Sequence, residues 1–430
     1  MKKKIVSVVA LFFIILISIF TGYEKPGLVE VPKSIVKNPR LYYDFALYKI
    51  GLRDNILEKK NQSEQTNDKE KIENEYINKP TEIKGNSFSA ITSKVKSFTE
   101  KSAALIISAH ESDEAQFQIF TQDGFIIDNN KKREIDLPLF YYGKQDGGIK
   151  SVILIEDQYF ALVSLKKFSC LYLSFISLKN RKEIIKSDCL PNPKGVDFGG
   201  SGGAYVFFKD KILLTVGAPE HNAPDVAELA QLESSIFGKI LSIKKDSLLN
   251  YNNEDVEFNI FSTGHRNPQG MVLLNNDIFS LEHGPQGGDE FNKIIYGKNY
   301  GWPIVSFGTQ YGDGKSYSQD HASFNFEEPM YSFIPAVAPS ALNKCPKNIS
   351  DYYKNNNCLM GLSLRAMSIL IFLLDKDNTR VVNVEKILFK KRLRHFGLDK
   401  SGVLYLDEDN HFYITADRDG LYKVKFDKFR

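Results

Sequence analysis

Cysteine, methionine and tryptophan are scarce in this 430-residue chain, at four, five and one. Four cysteines are too few for a scaffold stapled mainly by disulfides. Cys345 and Cys358 bracket a short polar loop, and Cys170 and Cys189 can lie on neighbouring strands. In an oxidising compartment either pair can close, and spacing alone leaves both open. Excess charge of one sign is also missing. A formal net charge of +3 leaves no electrostatic footprint for nucleic acid, so no nucleic-acid partner is expected. Helical periodicity is scarce beyond about Ser87, which argues against a helical body. Long apolar runs are confined to Ile5–Phe20, whose 16 residues fall short of the roughly 20 that a spanning helix needs.

That one run follows three lysines at residues 2–4, the plan of a secretory signal. Phe20-Thr21-Gly22 is a poor small-x-small cleavage site, so residues 1–22 read as a signal peptide or an uncleaved membrane anchor. The lysines favour a cytoplasmic N-terminus and an exported body. The expected location is the periplasm, with the chain tethered to the inner membrane or released. Residues 23–86 read as a linker, partly helical or disordered. Tyr42–Leu52 is apolar enough for a short helix resting on the membrane or the body. Arg53–Lys84 alternates charges of both signs with Asn and Gln, and Tyr76 is its only aromatic. Such a stretch cannot bury enough apolar surface to order itself.

From 87 to 430 the chain changes to short strands and turns, with Tyr, Phe, Ile and Val in runs of four to eight. Three segments share one plan of apolar strand, turn, second strand, polar loop and third strand. They are Gly203–Gly217 leading to Gly238–Lys244, Met271–Leu281 leading to Phe291–Ile295, and Phe396–Thr415 leading to Leu421–Phe426. Recurrence of this kind suits radial repetition in an all-β propeller. A two-sheet sandwich is the main competitor, but about 340 residues is long for one.

The densest chemistry lies between Thr263 and Gly301, TGHRNPQGMVLLNNDIFSLEHGPQGGDEFNKIIYGKNYG. Met271–Leu274 and Ile278–Leu281 read as two strands joined at Asn275-Asn276-Asp277, a hairpin signal. Arg266, Asn267 and Gln269 then precede the hairpin and Gly284–Glu290 follows it. A hairpin brings its outer ends together, so both polar clusters face one site. Arg266 offers a fork of donors suited to a carboxylate or an anionic ring system. Asp289 and Glu290 are hard oxygen donors, and Gly284-Pro285 can turn carbonyls inward. Carbonyls with carboxylates suit calcium better than zinc.

These residues resemble the signature of the soluble glucose/sorbosone (aldose sugar) dehydrogenase family. GHRNPQG, EHGPxGGDE and GKNYGWP all occur with spacing intact. The similarity runs, with gaps, from about Gln145 to about Lys425, roughly two thirds of the chain. The resemblance implies a six-bladed β-propeller using pyrroloquinoline quinone (PQQ) and calcium. It also implies a sugar or alcohol substrate and a separate electron acceptor. Arg266, Asn267 and Gln269 match its cofactor motif. Lys391-Arg392-Leu393-Arg394 resembles a paired-arginine motif for the quinone carboxylates; on a strand, Arg392 and Arg394 share a face. Arg365 stands where the family commonly has lysine, and Gln145 fits an upstream glutamine. For calcium, the resemblance implies carbonyls of Gly284, Pro285 and Tyr300 and the side chain of Glu290, with Asp289 beside them. Trp302 is expected to pack the loop.

One departure stands out. The family's general base is a histidine in a segment resembling H-F-G-G, and here Val196-Asp197-Phe198-Gly199-Gly200 puts Asp197 in its place. Imidazole suits proton abstraction near neutral pH, whereas a carboxylate with an unperturbed pKa near 3.9 is a weak base. Quinone carboxylates nearby would raise that pKa. His221 is the nearest other imidazole in sequence. Three readings follow: a PQQ- and calcium-dependent dehydrogenase with Asp197 as base, a catalytically inactive propeller binding a sugar or protein partner at the cell envelope, and a calcium-dependent hydrolase-like propeller.

Overall fold

The computed structural model describes residues 79–108, 115–128, 131–252 and 256–427. The signal or anchor expected at 1–22, and the expected linker up to residue 78, lie outside the described residues.

Strands such as Ile149–Ile155 (IKSVILI) and Ser368–Leu374 (SILIFLL) are buried along their whole length. They lack an apolar–polar alternation because both faces of each sheet are covered. Six antiparallel sheets follow one another along the chain. Their innermost strands are Ser102–Ser108, Ile149–Ile155, Gly202–Phe208, Pro268–Leu274, Pro339–Lys344 and Leu393–Phe396. Each inner strand contacts the next and the sixth contacts the first, so the sheets close a ring around a channel. The expected six-bladed propeller is the observed fold, and all three recurring segments are successive strands of blades three, four and six.

Five blades have four strands and the sixth has five. Ser89–Ser97 pairs with Gly420–Asp427 and adds Thr81–Lys84 at its outer edge. The two ends of the body are thereby joined in one sheet. That outermost strand lies inside the stretch whose composition reads as linker.

The core sits between blades. Phe279 and Phe291 of blade four stack at 5.5 Å, and Phe291 stacks on Phe372 of blade five at 4.6 Å. All three are fully buried, each worth about 1.5–3 kcal/mol. Both cysteine pairs are closed, with Cα separations of 5.1 Å for Cys170–Cys189 and 5.5 Å for Cys345–Cys358.

The expected hairpin is Pro268–Leu274 against Asp277–Glu282. Leu274 pairs with Asp277, so Asn275 and Asn276 alone make the turn, with Asn275 at φ +59°. Asparagine tolerates that left-handed conformation. At the other end Pro268 pairs with Glu282, which places Arg266 beside His283 and Gly284.

Candidate functional site

Asp197 sits on a tight loop between blades two and three. It caps the short 3-10 turn Phe198–Gly200, its Oδ1 accepting the Gly199 N–H at 2.8 Å. Its own N–H donates to Pro219 O at 3.0 Å. The loop is then clasped from two sides by amides. From blade two, Gln145 Nε2 donates to Pro193 O and Val196 O, both at 2.9 Å, while its Oε1 accepts from the Tyr142 hydroxyl at 2.9 Å. From blade four, Asn267 Nδ2 and Gln269 Nε2 donate to Gly199 O at 3.2 and 2.9 Å. Asn267 Oδ1 accepts from Gly202 N at 3.0 Å. The three amides expected on the cofactor are thus engaged in holding the Asp197 loop. This is a positioning role that spacing alone did not show.

Glycine is required where this loop enters blade three. Gly203 has φ +106°, and a Cβ there would meet Lys150 O at 3.0 Å and Ser151 Cβ at 3.3 Å. Any side chain would push blades two and three apart.

Arg266 faces the 284–290 loop, as the hairpin argument expects. Its Nη1 donates to Gly284 O at 2.7 Å and His283 O at 3.3 Å. Its Nε and Nη2 donate to Glu220 Oε1 at 3.2 and 2.8 Å. The guanidinium lies 5.2 Å from the centre of the Trp302 ring. Trp302 is buried among Ala218, Ala227 and Ala230 and contacts Tyr317 at 5.2 Å, so it packs this loop as expected. Glu220 also bridges back to Val196 through the backbone. Arg266 and the Asp197 loop therefore form one assembly.

Arg394 is buried on its inner strand and forks onto Asp417, with Nε to Oδ1 at 2.8 Å and Nη2 to Oδ2. Arg392 precedes that strand and is exposed, so the two arginines differ in exposure. His283 donates from Nε2 to Pro339 O at 2.5 Å; the carbonyl can only accept, which fixes the tautomer. Its imidazole is pushed down to about 3 by burial, with Arg266, Arg394 and Arg392 adding repulsion. Part of the ring surface remains accessible, yet the protein around it keeps it neutral. Arg365 is exposed in the turn after Asn357–Ser363, its N–H donating to Val337 O at 3.0 Å. His221 is exposed and touches the loop through its backbone, His221 N donating to Gly195 O at 2.7 Å.

Two residues that sequence reasoning did not single out belong to this assembly. His283 stands inside the quoted EHGPxGGDE. Lys150 interrupts an apolar strand, and that interruption was the available signal. Lys150 is 7% exposed and lowered to about 7 by burial, with Arg394 adding to the effect and Asp146 and Asp197 opposing it.

Part of the oxygen set expected for calcium, Gly284 O with the Asp289 and Glu290 carboxylates, is engaged within the protein. Gly284 O accepts from the Arg266 guanidinium, so a cation there would meet another cation. Asp289 accepts three backbone N–H groups, from Gly284 at 3.0 Å, Val337 at 2.7 Å and Ala338 at 2.6 Å. Burial pushes it up to about 6 against those three bonds. Glu290 pairs across adjacent strands with Glu282, and Asn292 Nδ2 donates to both carboxylates at 3.2 and 2.8 Å. Burial, then the facing Glu282, holds Glu290 well above the usual carboxylate range. Pro285 is buried in the same loop. Tyr300 stacks on His265 at 4.6 Å and donates its hydroxyl to Lys293 O at 2.6 Å. Among the described residues no group of three or more His, Cys, Asp or Glu could hold a metal ion.

The sequence profile of the Glucose / Sorbosone dehydrogenase family matches residues 176–413. An aldose sugar dehydrogenase of Escherichia coli is 34% identical over 153 residues, 34% of this chain and 40% of that protein. The matched stretches span less than half the length of the curated relatives. Among solved structures, the apo form of the soluble Escherichia coli aldose sugar dehydrogenase superposes with a TM-score of 0.61 at 19% identity, covering 78% of this chain and 99% of the other. The PQQ-bound aldose sugar dehydrogenase of Streptomyces coelicolor gives a TM-score of 0.51 at 17% identity, covering 81% and 100%. At those identities the likeness shows the fold.

Proposed function

Because the chain belongs to the glucose/sorbosone dehydrogenase family, we propose that it is an exported, PQQ-dependent dehydrogenase that oxidises an aldose sugar or related alcohol. In this reading Asp197 is the proton acceptor. The observation that carries the reading is Arg266, which donates to His283 O and Gly284 O and is joined through Glu220 to the Asp197 loop, with the charges of Arg394 and Arg392 adding to the positive field at His283. Arg266 and Arg394 are matched by Glu220 and Asp417. Arg392 and Lys150 have no ion-pair partner among the described residues. Two unmatched cations suit an anionic, polycarboxylate cofactor.

In this reading Arg392, free of any ion pair among the described residues, would hold a PQQ carboxylate, with the paired guanidinium groups of Arg266 and Arg394 beside it adding positive charge. Bound there, the quinone supplies the hydride acceptor. Asp197 takes the proton of the hydroxyl whose carbon gives up hydride, leaving a carbonyl product and a neutral carboxyl. Its Oδ1 is occupied by Gly199 N–H, and Oδ2 has no hydrogen-bond partner among the described residues. Gln145, Asn267 and Gln269 fix the loop on both sides, so the carboxylate is positioned before substrate arrives. A separate electron acceptor completes the cycle. Gly284 O and the Asp289 carboxylate accept from protein donors, and no step is assigned to calcium. Two closed disulfides and the lysine-led apolar N-terminus support export to an oxidising compartment.

One observation favours a second reading, an inactive propeller that binds a sugar or protein partner: Asp197 stands where the family resemblance calls for imidazole. The test is dye reduction by the purified full chain loaded with PQQ, across a panel of aldoses and alcohols. The dehydrogenase reading expects turnover that Asp197→Asn lowers by about 10²–10⁴ without loss of PQQ affinity. Tight PQQ binding with no turnover, and activity created by Asp197→His, would overturn it in favour of the binding propeller.

A further inference from the structure

Lys150 is the only charged residue in the inner strand IKSVILI. The pairing of that strand shifts register between Ile149 and Ser151. Such a bulge re-aims side chains, and here the adjacent residues Lys150 and Ser151 both line the channel. The cavity they share with Gln269 and Arg394 is about 230 Å³. Lys150 is 7% exposed. Its Nζ makes one hydrogen bond, to Asp146 O at 2.7 Å, and no ion pair among the described residues. An ammonium has three donors, so two are left without a protein acceptor. Ser151 Oγ, in a residue 4% exposed, is buried with no partner.

The charged groups around Lys150 leave its charge uncancelled. The Asp146 carboxylate is taken by Lys101 at 2.7 Å. Asp417 is taken by Arg394, and Asp197, though its charge favours the protonated lysine, makes no ion pair with it among the described residues. A buried cation without a partner is costly, and an orphaned hydroxyl beside it adds to the cost. Gly203, lacking a side chain next to Lys150 O and Ser151 Cβ, keeps blade three from filling the space. We propose that Lys150 and Ser151 form a seat inside the channel for one carboxylate group of a bound ligand. The carboxylate comes either from the cofactor or from a small organic acid entering the channel; only the first source rests on the PQQ reading. Burial and Arg394 place the lysine's titration near pH 7, so the seat is charged below neutrality and weakens in alkali.

The test is calorimetric titration of the purified full chain at pH 6.5 with PQQ and, separately, with acetate. Lys150→Met is expected to weaken binding of PQQ, acetate or both by about 10- to 100-fold, the range of a lost charge-assisted hydrogen bond. Lys150→Arg should retain most of the affinity and Ser151→Ala should lose a smaller part. A loss confined to PQQ assigns the seat to the cofactor. A loss confined to acetate assigns it to a free acid, and that result stands even if the wild-type chain does not bind PQQ, which would defeat the PQQ reading alone. Unchanged affinity for both ligands in folded Lys150→Met overturns the proposal. Should that variant not fold, wild-type affinity for either ligand must fall between pH 6.5 and 9, and flat profiles overturn the proposal equally.

Discussion

Arg266 holds the site together and also faces its ligand, and the two roles can be separated. Its side chain is 13% exposed and that of its partner Glu220 is 7% exposed. Replacing Arg266 with methionine removes two bonds to Glu220 and those to Gly284 O and His283 O, leaving a carboxylate buried without a cation. Breaking a buried pair from one side costs about 3–5 kcal/mol. Replacing the whole pair, as Arg266→Met with Glu220→Gln, leaves no stranded charge, so most of that loss should return. Urea unfolding at constant slope gives the difference, and the double-mutant cycle isolates the coupling. PQQ affinity should behave otherwise. Glu220→Gln keeps the guanidinium and should bind within a few-fold of wild type, whereas Arg266→Met should lose about 10-fold or more, and the double variant should not regain it. A loss of stability under about 1 kcal/mol for Arg266→Met, or recovery of PQQ affinity in the double variant, would refute the reasoning.

Asp289→Ala strands the buried N–H donors of Gly284 and Val337 at about 1–3 kcal/mol each and the half-buried one of Ala338; a melting temperature near wild type would show that water replaces the carboxylate. For Glu290, the native pKa is raised, so the folded state holds a proton that the unfolded chain has released. Stability then falls as pH rises above the usual carboxylate range. Glu290→Gln should flatten that decline, and parallel wild-type and variant curves from pH 5 to 9 would contradict it. Removing Cys170–Cys189 or Cys345–Cys358, which close loops with sequence separations of 19 and 13, should cost about 3 kcal/mol each. A reductant that leaves unfolding midpoints unmoved would count against that value.

The propeller was legible where strands are apolar and turns are sharp. The Asn275-Asn276 hairpin and the strand plans of blades three, four and six are local patterns. The outermost strand, Thr81–Lys84, was not legible. Its sequence TEIK sits at a sheet edge with only Ile83 half-buried against the core, too little for an alternation to show. The arginines were legible as a motif, because their residue type and spacing are themselves sequence signals. The work of Gln145, Asn267 and Gln269 was hidden for a physical reason. Their partners are backbone carbonyls 48 to 70 residues away, and a carbonyl carries no sequence signal. The same holds for Asp289, whose three donors are all main-chain N–H groups. Arg394 and Asp417 pair across adjoining strands of one blade, a contact that register alone reveals.

The central claim is that Arg392, with Arg266 and Arg394 beside it, holds a quinone beside a positioned carboxylate. Its most direct test is anaerobic mixing of the PQQ-loaded full chain with an aldose while the quinone absorbance is followed. The account predicts sugar-dependent reduction that disappears in Asp197→Asn although PQQ stays bound. A chain that binds no PQQ, or one whose bound PQQ no aldose or alcohol reduces, would contradict it.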